Sequence, residues 1–412
     1  MKFKGTVLMA AVFLSLVLYY FFIDIPAQQK ENSEKEQAEK ILPLETEKVV
    51  EFSIIRNGNP ITLKRKDPNN WGLTQPLSAP GDPTEAEAFI SEIANLKKTR
   101  VVEENPNDYS IYGLDSPVIK IHFTFDNKIK ETLLIGDESP MGGGLYFKRG
   151  SQPSVMMALA SKTHFEKSVY NFRDKTLLSF STGTIKRIKI IRETNPLEFE
   201  KVDEVWKISG TMGAKGDKDT IMKFLQSIQF SKIQEFVDEK PDSLEDYGLN
   251  PPKLKLVLEN EKGATQTLAL GNPKEDKGYF GKINDSSTIL LLGSRLFETL
   301  SQKAVAFFDK KLLEFDESEI LELSLRSENE TIRIVRGENG SWAILSPIKA
   351  AADLSTMNSL LFDLKEAQIT EFIKISLDIP EVFGLDTPNK SFTLKMKDGK
   401  TWTLQFGNHT SD

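Results

Sequence analysis

Apolar residues recur along this chain at two alternating periods. From Val49 to Lys66, "VVEFSIIRNGNPITLKRK", they alternate with polar ones, which predicts two strands about a tight turn at Asn57-Gly58. The same alternation returns in "IKRIKIIRETNPLEFEKV" from Ile185 and in "ILELSLRSENETIRIVRG" from Ile320. A tryptophan follows each: Trp71, Trp206 and Trp342. The period then changes. Ala86, Phe89, Ile90 and Ile93 stand at i, i+3, i+4, i+7, the apolar stripe of an amphipathic helix. Ile221, Phe224, Leu225 and Ile228 repeat it, as do Met357, Leu360, Leu361 and Leu364. An aspartate precedes each stripe, Asp82, Asp217 and Asp353, and is placed to cap a helix N-terminus. Paired residues of high strand propensity follow each helix, Val101-Val102, Phe236-Val237 and Phe372-Ile373, and predict one further strand per copy.

The spacing shows that one unit is written three times. Tyr112, Tyr247 and Phe383 each lie 41 positions after their tryptophan. They open the phrases "YGLDSP", "YGLNPP" and "FGLDTP", which contain Gly113 with Pro117, Gly248, and Gly384 with Pro388. A second glycine lies 23 positions beyond the first in every copy: Gly136, Gly271 and Gly407. Such register across three copies is internal duplication. Each phrase precedes an alternating pair of strands, so its glycine is read as a φ > 0 turn position and its leucine and aromatic as a plug under that turn. The tryptophans are expected at equivalent half-buried positions. Beyond the second glycine, the first two copies add a hairpin, a helix-like stretch, and "FRDKTLLSF" or "FFDKKLLEF", with Asp174 and Asp309 in register. The third copy has five residues after Gly407 and none of this. An incomplete unit leaves a sheet edge open to a partner strand; a truncated sequence is the other reading.

The expected fold is therefore α+β: tandem repeats of antiparallel β-sheet units, each packed by an amphipathic helix, after an N-terminal transmembrane helix. The expected boundaries are 1–25 for the anchor, 26–46 for a charged stalk, 47–180 and 181–315 for two full units, and 316–412 for a partial third. The anchor rests on Gly5 to Ile23, 19 residues without a charge behind Lys2 and Lys4. It is longer than a usual signal-peptide core and lacks a good cleavage site. The two lysines keep the N-terminus inside, so the bulk of the chain is expected outside the inner membrane, periplasmic or extracellular.

Composition narrows the chemistry. A net charge of -7 argues against a nucleic-acid partner. The absence of cysteine removes thiolate nucleophiles, disulfides and cysteine-based metal sites. The three histidines, His122, His164 and His409, read as surface residues. "MGGG" from Met141 lacks the Lys and Ser/Thr of a phosphate loop. The recurring residues are read as structural; no catalytic residue, metal site or cofactor is expected.

The Trp strand, the Asp-capped helix, "YGLDSP", "LLIGDES" and "FRDK" together resemble the bacterial domain of unknown function 4340 family. The resemblance covers nearly the whole chain after the anchor. It implies a single-anchor extracytoplasmic protein, encoded beside gliding-motility-type ABC transport systems and acting as an accessory part of them. It supplies no catalytic residues. The third copy departs from the family by lacking "FRDK". The functional expectation is a non-enzymatic, membrane-anchored scaffold or binding module with protein partners. The alternative is a cell-wall or polysaccharide hydrolase using paired carboxylates, which requires two acids in unlike environments.

Overall fold

Alternating apolar positions become antiparallel sheets, of which a computed structural model shows three. It describes residue 9 and residues 13–209, 215–327, 330–373 and 380–409. The first sheet contains β1 (Val49–Arg56), β2 (Asn59–Asp67), β3 (Asn70–Gln75), β4 (Ala79–Pro80), β5 (Arg100–Glu103), β6 (Ile119–Phe125), β7 (Lys130–Glu138), β8 (Leu145–Arg149) and β9 (Val155–Ala158). Its order is β4-β3-β2-β1-β6-β7-β8-β9-β5. The second contains β10 (Ile185–Arg192), β11 (Leu197–Val202), β12 (Val205–Ile208), β13 (Lys215–Gly216), β14 (Ile233–Asp238), β15 (Leu254–Asn260), β16 (Thr265–Pro273), β17 (Tyr279–Ile283) and β18 (Ile289–Leu292), in the equivalent order. The third has, among the described residues, β19 (Ile320–Ser327), β20 (Glu330–Arg336), β21 (Trp342–Ser346), β22 (Ala350–Ala351), β23 (Lys390–Met396) and β24 (Thr401–Phe406), ordered β22-β21-β20-β19-β23-β24.

The repeat extends to register. Phe52 faces Phe123, Ile188 faces Leu258, and Leu323 faces Leu394. The first strand of each copy is bulged at one place: Val49/Glu51, Ile185/Arg187 and Ile320/Glu322. By compactness the chain divides into two units, residues 1–177 with 232–239 and residues 178–231 with 240–412.

One helix covers each sheet: Pro83–Ala94, Lys218–Gln229 and Leu354–Glu366. In the first two, all four stripe residues are buried, each worth about 1.5–3 kcal/mol for the larger side chains. In the third, Met357 and Leu361 are buried but Leu360 and Leu364 only half-buried. The late helix expected in the full copies is two short turns in the first, Lys162–Phe165 and Val169–Phe172, and one helix, Ser294–Leu300, in the second.

Three expectations need correction. The tryptophans are buried rather than half-buried, at 0, 3 and 4% exposure. Trp71 tolerates this because its indole N–H donates to Glu87 Oε1 at 2.8 Å, leaving no buried donor unsatisfied. The strand expected at Phe372-Ile373 is not formed among the described residues. Its counterpart β5 pairs with β9, and among the described residues no strand equivalent to β9 is present in the third copy. A strand is stabilised by its neighbour, not by its composition alone. Finally, Ile41 and Leu42, assigned to the stalk, are buried in the first core. Lys98 N–H donates to Glu39 O (2.8 Å), as Ile233 does to Lys175 (3.0 Å) and Ile369 to Lys310 (2.8 Å). Each copy thus begins several residues earlier than its alternation suggests.

The expected anchor at residues 5–23 lies partly outside the described residues. Residues 13–39 are helical, passing through a π turn at Tyr20–Asp24 into Ile25–Glu39. Among the described residues no helix is long and apolar enough to cross a membrane. The Ile25–Glu39 segment carries i,i+4 pairs, such as Glu31–Lys35 at 2.6 Å, which favour helix in a polar sequence.

Candidate functional site

The twice-glycine phrase is a backbone clasp. Gly113, Gly248 and Gly384 have φ of +65°, +65° and +66°, a region that β-branched residues adopt badly. The second glycine meets the carbonyl of the preceding aromatic. A Cβ on Gly136, Gly271 or Gly407 would stand 2.1, 2.1 and 2.0 Å from the carbonyl oxygen of Tyr112, Tyr247 and Phe383. That oxygen also accepts from the residue after the second glycine, Asn272 N–H at 2.8 Å and Asn408 N–H at 2.7 Å. The side chains of Asp137, Asn272 and Asn408 lie where a Cβ of the first glycine would be. These three were missed in the sequence, although their spacing from the glycines is constant.

The remaining repeat residues close the core. Tyr112 and Leu114 are buried, Tyr112 against Tyr146 at 5.0 Å, as Tyr247 lies against Phe280 at 5.1 Å. The Tyr112 hydroxyl donates to Glu103 Oε2 at 2.7 Å, which with burial pushes its pKa up. Pro117 is buried and Pro388 half-buried at the start of the following hairpin. Asp82 accepts from Thr84 and Glu85 N–H, Asp217 from Thr220 and Asp353 from Thr356, so each caps its helix. Arg65 stacks over Trp71 at 4.6 Å and pairs with Glu87 at 2.8 Å. Arg336 stands over Trp342 at 5.4 Å.

The "FRDK" segment lies along the outer edge of its sheet. Phe172 is fully buried, 5.5 Å from Phe52 and 5.4 Å from Phe89. Asp82 N–H donates to Phe172 O at 2.8 Å, and Asp174 N–H to Pro80 O at 3.0 Å. Gly81 and Arg173 form an antiparallel bridge between these bonds. The second copy repeats the pattern: Asp217 N–H to Phe307 O (2.8 Å), Asp309 N–H to Lys215 O (2.8 Å), and a Gly216–Phe308 bridge. Phe307 packs 5.0 Å from Phe199 and 5.1 Å from Phe224.

Arg173 adds a polar clamp. Its guanidinium lies 3.6 Å over Phe236 and makes a two-pronged pair with Glu239, one bond at 3.1 Å and a shorter one from Nη1 to Oε1. It borders a groove of about 880 Å³ that also touches Arg56, Asn59, Tyr170 and Glu235. A doubly bonded, stacked arginine is a rigid anchor. The arrangement holds residues 232–239 on the first unit.

Asp108, Asp316, Asp353 and Asp398 have pKa values held down by hydrogen bonds from the turn or cap groups of Ser110, Ser318, Thr356 and Lys400. Glu204 and Glu322 are lowered by hydrogen bonds from Lys201 and Arg333. Among the described residues no group of three or more His, Asp or Glu is placed to hold a metal ion.

Residues 71–212 and 206–381 each match the domain of unknown function DUF4340. The chain belongs to that family, and the two matches fall one repeat apart. No curated protein and no solved structure matches it.

Proposed function

We propose that this chain is a non-enzymatic, membrane-tethered scaffold that displays repeated β-sheet units outside the inner membrane and engages protein partners there. The observation that carries this reading is the role of the recurring residues. Caps, carbonyl clasps and core plugs use the tryptophans, aspartates, aromatics and glycines that recur, and repetition of such units builds surface. The tether is supported by Gly5 to Ile23, uncharged throughout, and by the exposure of Phe13, Leu14, Phe21 and Phe22 on its helical part. A row of large apolar side chains facing outward fits a lipid environment. The family resemblance makes a gliding-motility-type ABC permease or ATPase the first partner to seek.

The test is crosslinking of the full chain in its native membranes, followed by detergent extraction, pulldown and mass spectrometry. The chain is expected to resist carbonate washing and to bring down transporter components. Release by carbonate would overturn the tether. Recovery of cell-wall fragments alone would overturn the scaffold reading and favour the hydrolase.

A further inference from the structure

The first two copies share a groove that differs in charge. In each it lies between the turn after the first strand and the segment that leads to the buried phenylalanine. In the first copy it touches Arg56, Asn57 and Asn59 on one side and Ser168 on the other. In the second it touches Arg192, Glu193 and Asn195, with Lys303 in the position of Ser168. The second groove is about 1060 Å³, at the upper end of the range for ligand sites. The charged side chains around the first groove are Arg56, Arg173, Glu235 and Glu239, two of each sign. Around the second they are Arg192, Lys253, Lys255, Lys303 and Glu193, four cations and one carboxylate. That excess opposes the net charge of the chain, which is -7.

The cations of the second groove lack counter-charges. Among the described residues none of the four pairs with a carboxylate. Arg192 is the fixed one. Its Nε donates to Asn195 O at 2.8 Å, and its two Nη donate to Leu300 O at 3.2 Å and Gln302 O at 2.9 Å. Carbonyls satisfy these N–H groups and leave the charge in place. Partial burial pushes the Arg192 pKa down, as expected of a cation held without an anion. Lys253, Lys255 and Lys303 are exposed. Lys255 faces Ile191 across β10 and β15. Ile191 is 51% exposed and Phe297 is half-buried in the same lining. The groove thus joins free ammonium groups to an apolar patch. The repeat plan assigns no segment of this chain to it. In the first copy, which is followed by the whole of the second, the equivalent groove is still open, bordered by Gln234 and Phe236 but not filled.

We propose that the groove of the second copy binds an acidic segment of a partner protein, with carboxylates on both sides of one apolar side chain. The carboxylates lie among Lys253, Lys255 and Lys303 and supply the counter-charge for Arg192. The apolar side chain rests on Ile191 and Phe297. A lysine ammonium is a point charge that selects sign rather than geometry. The Arg192 fork, committed to carbonyls, offers no two-pronged bond. The lining therefore suits negative charge at several points along a chain. Its apolar patch favours a peptide over a phosphate polymer, which has no side chain to place there. This deepens the scaffold reading by naming the chemistry of a partner, and rests on it.

The test uses the full chain in a non-ionic detergent and a labelled heptapeptide of aspartates and glutamates around a central phenylalanine. Saturable one-to-one binding is expected, weakening as salt is raised. Lys255→Glu combined with Lys303→Glu should lower the affinity at least about tenfold. The melting temperature should not change, since both lysines are exposed and unpaired. Arg56→Glu, at the corresponding position of the first copy, should leave the affinity unchanged. A peptide with a central alanine should bind at least about threefold more weakly, because the apolar contact is lost. A photo-crosslinker in place of the phenylalanine should react within residues 191–195, 251–255 or 297–303, which tests the site without altering the protein. No saturable binding, indifference to the lysine changes, an effect of Arg56→Glu, equal affinity of the alanine peptide, or crosslinks elsewhere would each overturn the proposal. Stronger competition by a polyphosphate of equal charge than by unlabelled peptide would assign the groove to a phosphate ligand and overturn it as well. The peptide assay needs no membrane partner, so it can fail while the native pulldown succeeds, and the reverse.

Discussion

At the residue scale, glycine is required here by contact as well as by φ. Gly271 faces the Tyr247 carbonyl so closely that one methyl group would stand 2.1 Å from it. Gly271→Ala should therefore destabilise its unit by about 2–4 kcal/mol, because the neighbour is backbone and cannot rotate away. Gly248→Val should also cost a few kcal/mol through its positive φ. Guanidinium denaturation reads both, and a change within about 0.5 kcal/mol would refute the clasp. His122 offers a pH test. Burial, with Lys120 and Lys130, lowers its pKa from 6.5. The unfolded chain then binds this proton more readily than the folded one. Stability is thus unaffected well above pH 6.5 and falls as pH drops from there through the folded pKa. His122→Gln keeps a polar partner for Thr132, bonded at 2.8 Å in the native chain, and should flatten the fall in melting temperature between about pH 7 and 5. The lowered carboxyls act further down: their contribution is present above the unfolded carboxylate pKa of about 4 and is lost below it.

At the element scale, the three repeat helices, Pro83–Ala94, Lys218–Gln229 and Leu354–Glu366, each begin where an aspartate accepts free N–H groups. Asp217→Ala should cost about 1 kcal/mol, measured as a shift in denaturation midpoint without a change in slope. Asp217→Asn should recover most of that. The helices and most strands were legible because their periods differ and because the cap stands at a fixed distance from the tryptophan. Phe372-Ile373 was misread because strand formation there depends on a neighbour that composition does not encode. Ile41 and Leu42 were missed because two apolar residues at the end of a charged run show no period. The Arg173–Glu239 clamp joins residues 66 apart, a distance at which no local pattern operates. Arg173→Ala should destabilise the first unit by about 1–3 kcal/mol, since the loss combines a stacked ring contact and a partly buried ion pair. Arg173→Lys should recover little, because a point charge reproduces neither the fork nor the stacking.

At the scale of the whole molecule, the described residues of the three copies differ in how well their cores are covered, and that difference predicts an order of stability. Among the described residues the first two sheets have nine strands each and the third has six. In the third, β24 lies at an edge with Trp402 and Phe406 more than 40% exposed, and half of the helix stripe is incompletely covered. Opening free energy follows local burial and the exposure of backbone hydrogen bonds. Phe123, Leu258 and Leu394 occupy one register position and are equally buried, so their amides compare the copies directly. Hydrogen exchange should be fastest at Leu394, by at least about tenfold over the other two, which corresponds to about 1.4 kcal/mol of opening free energy. Equal protection at all three positions would overturn this order.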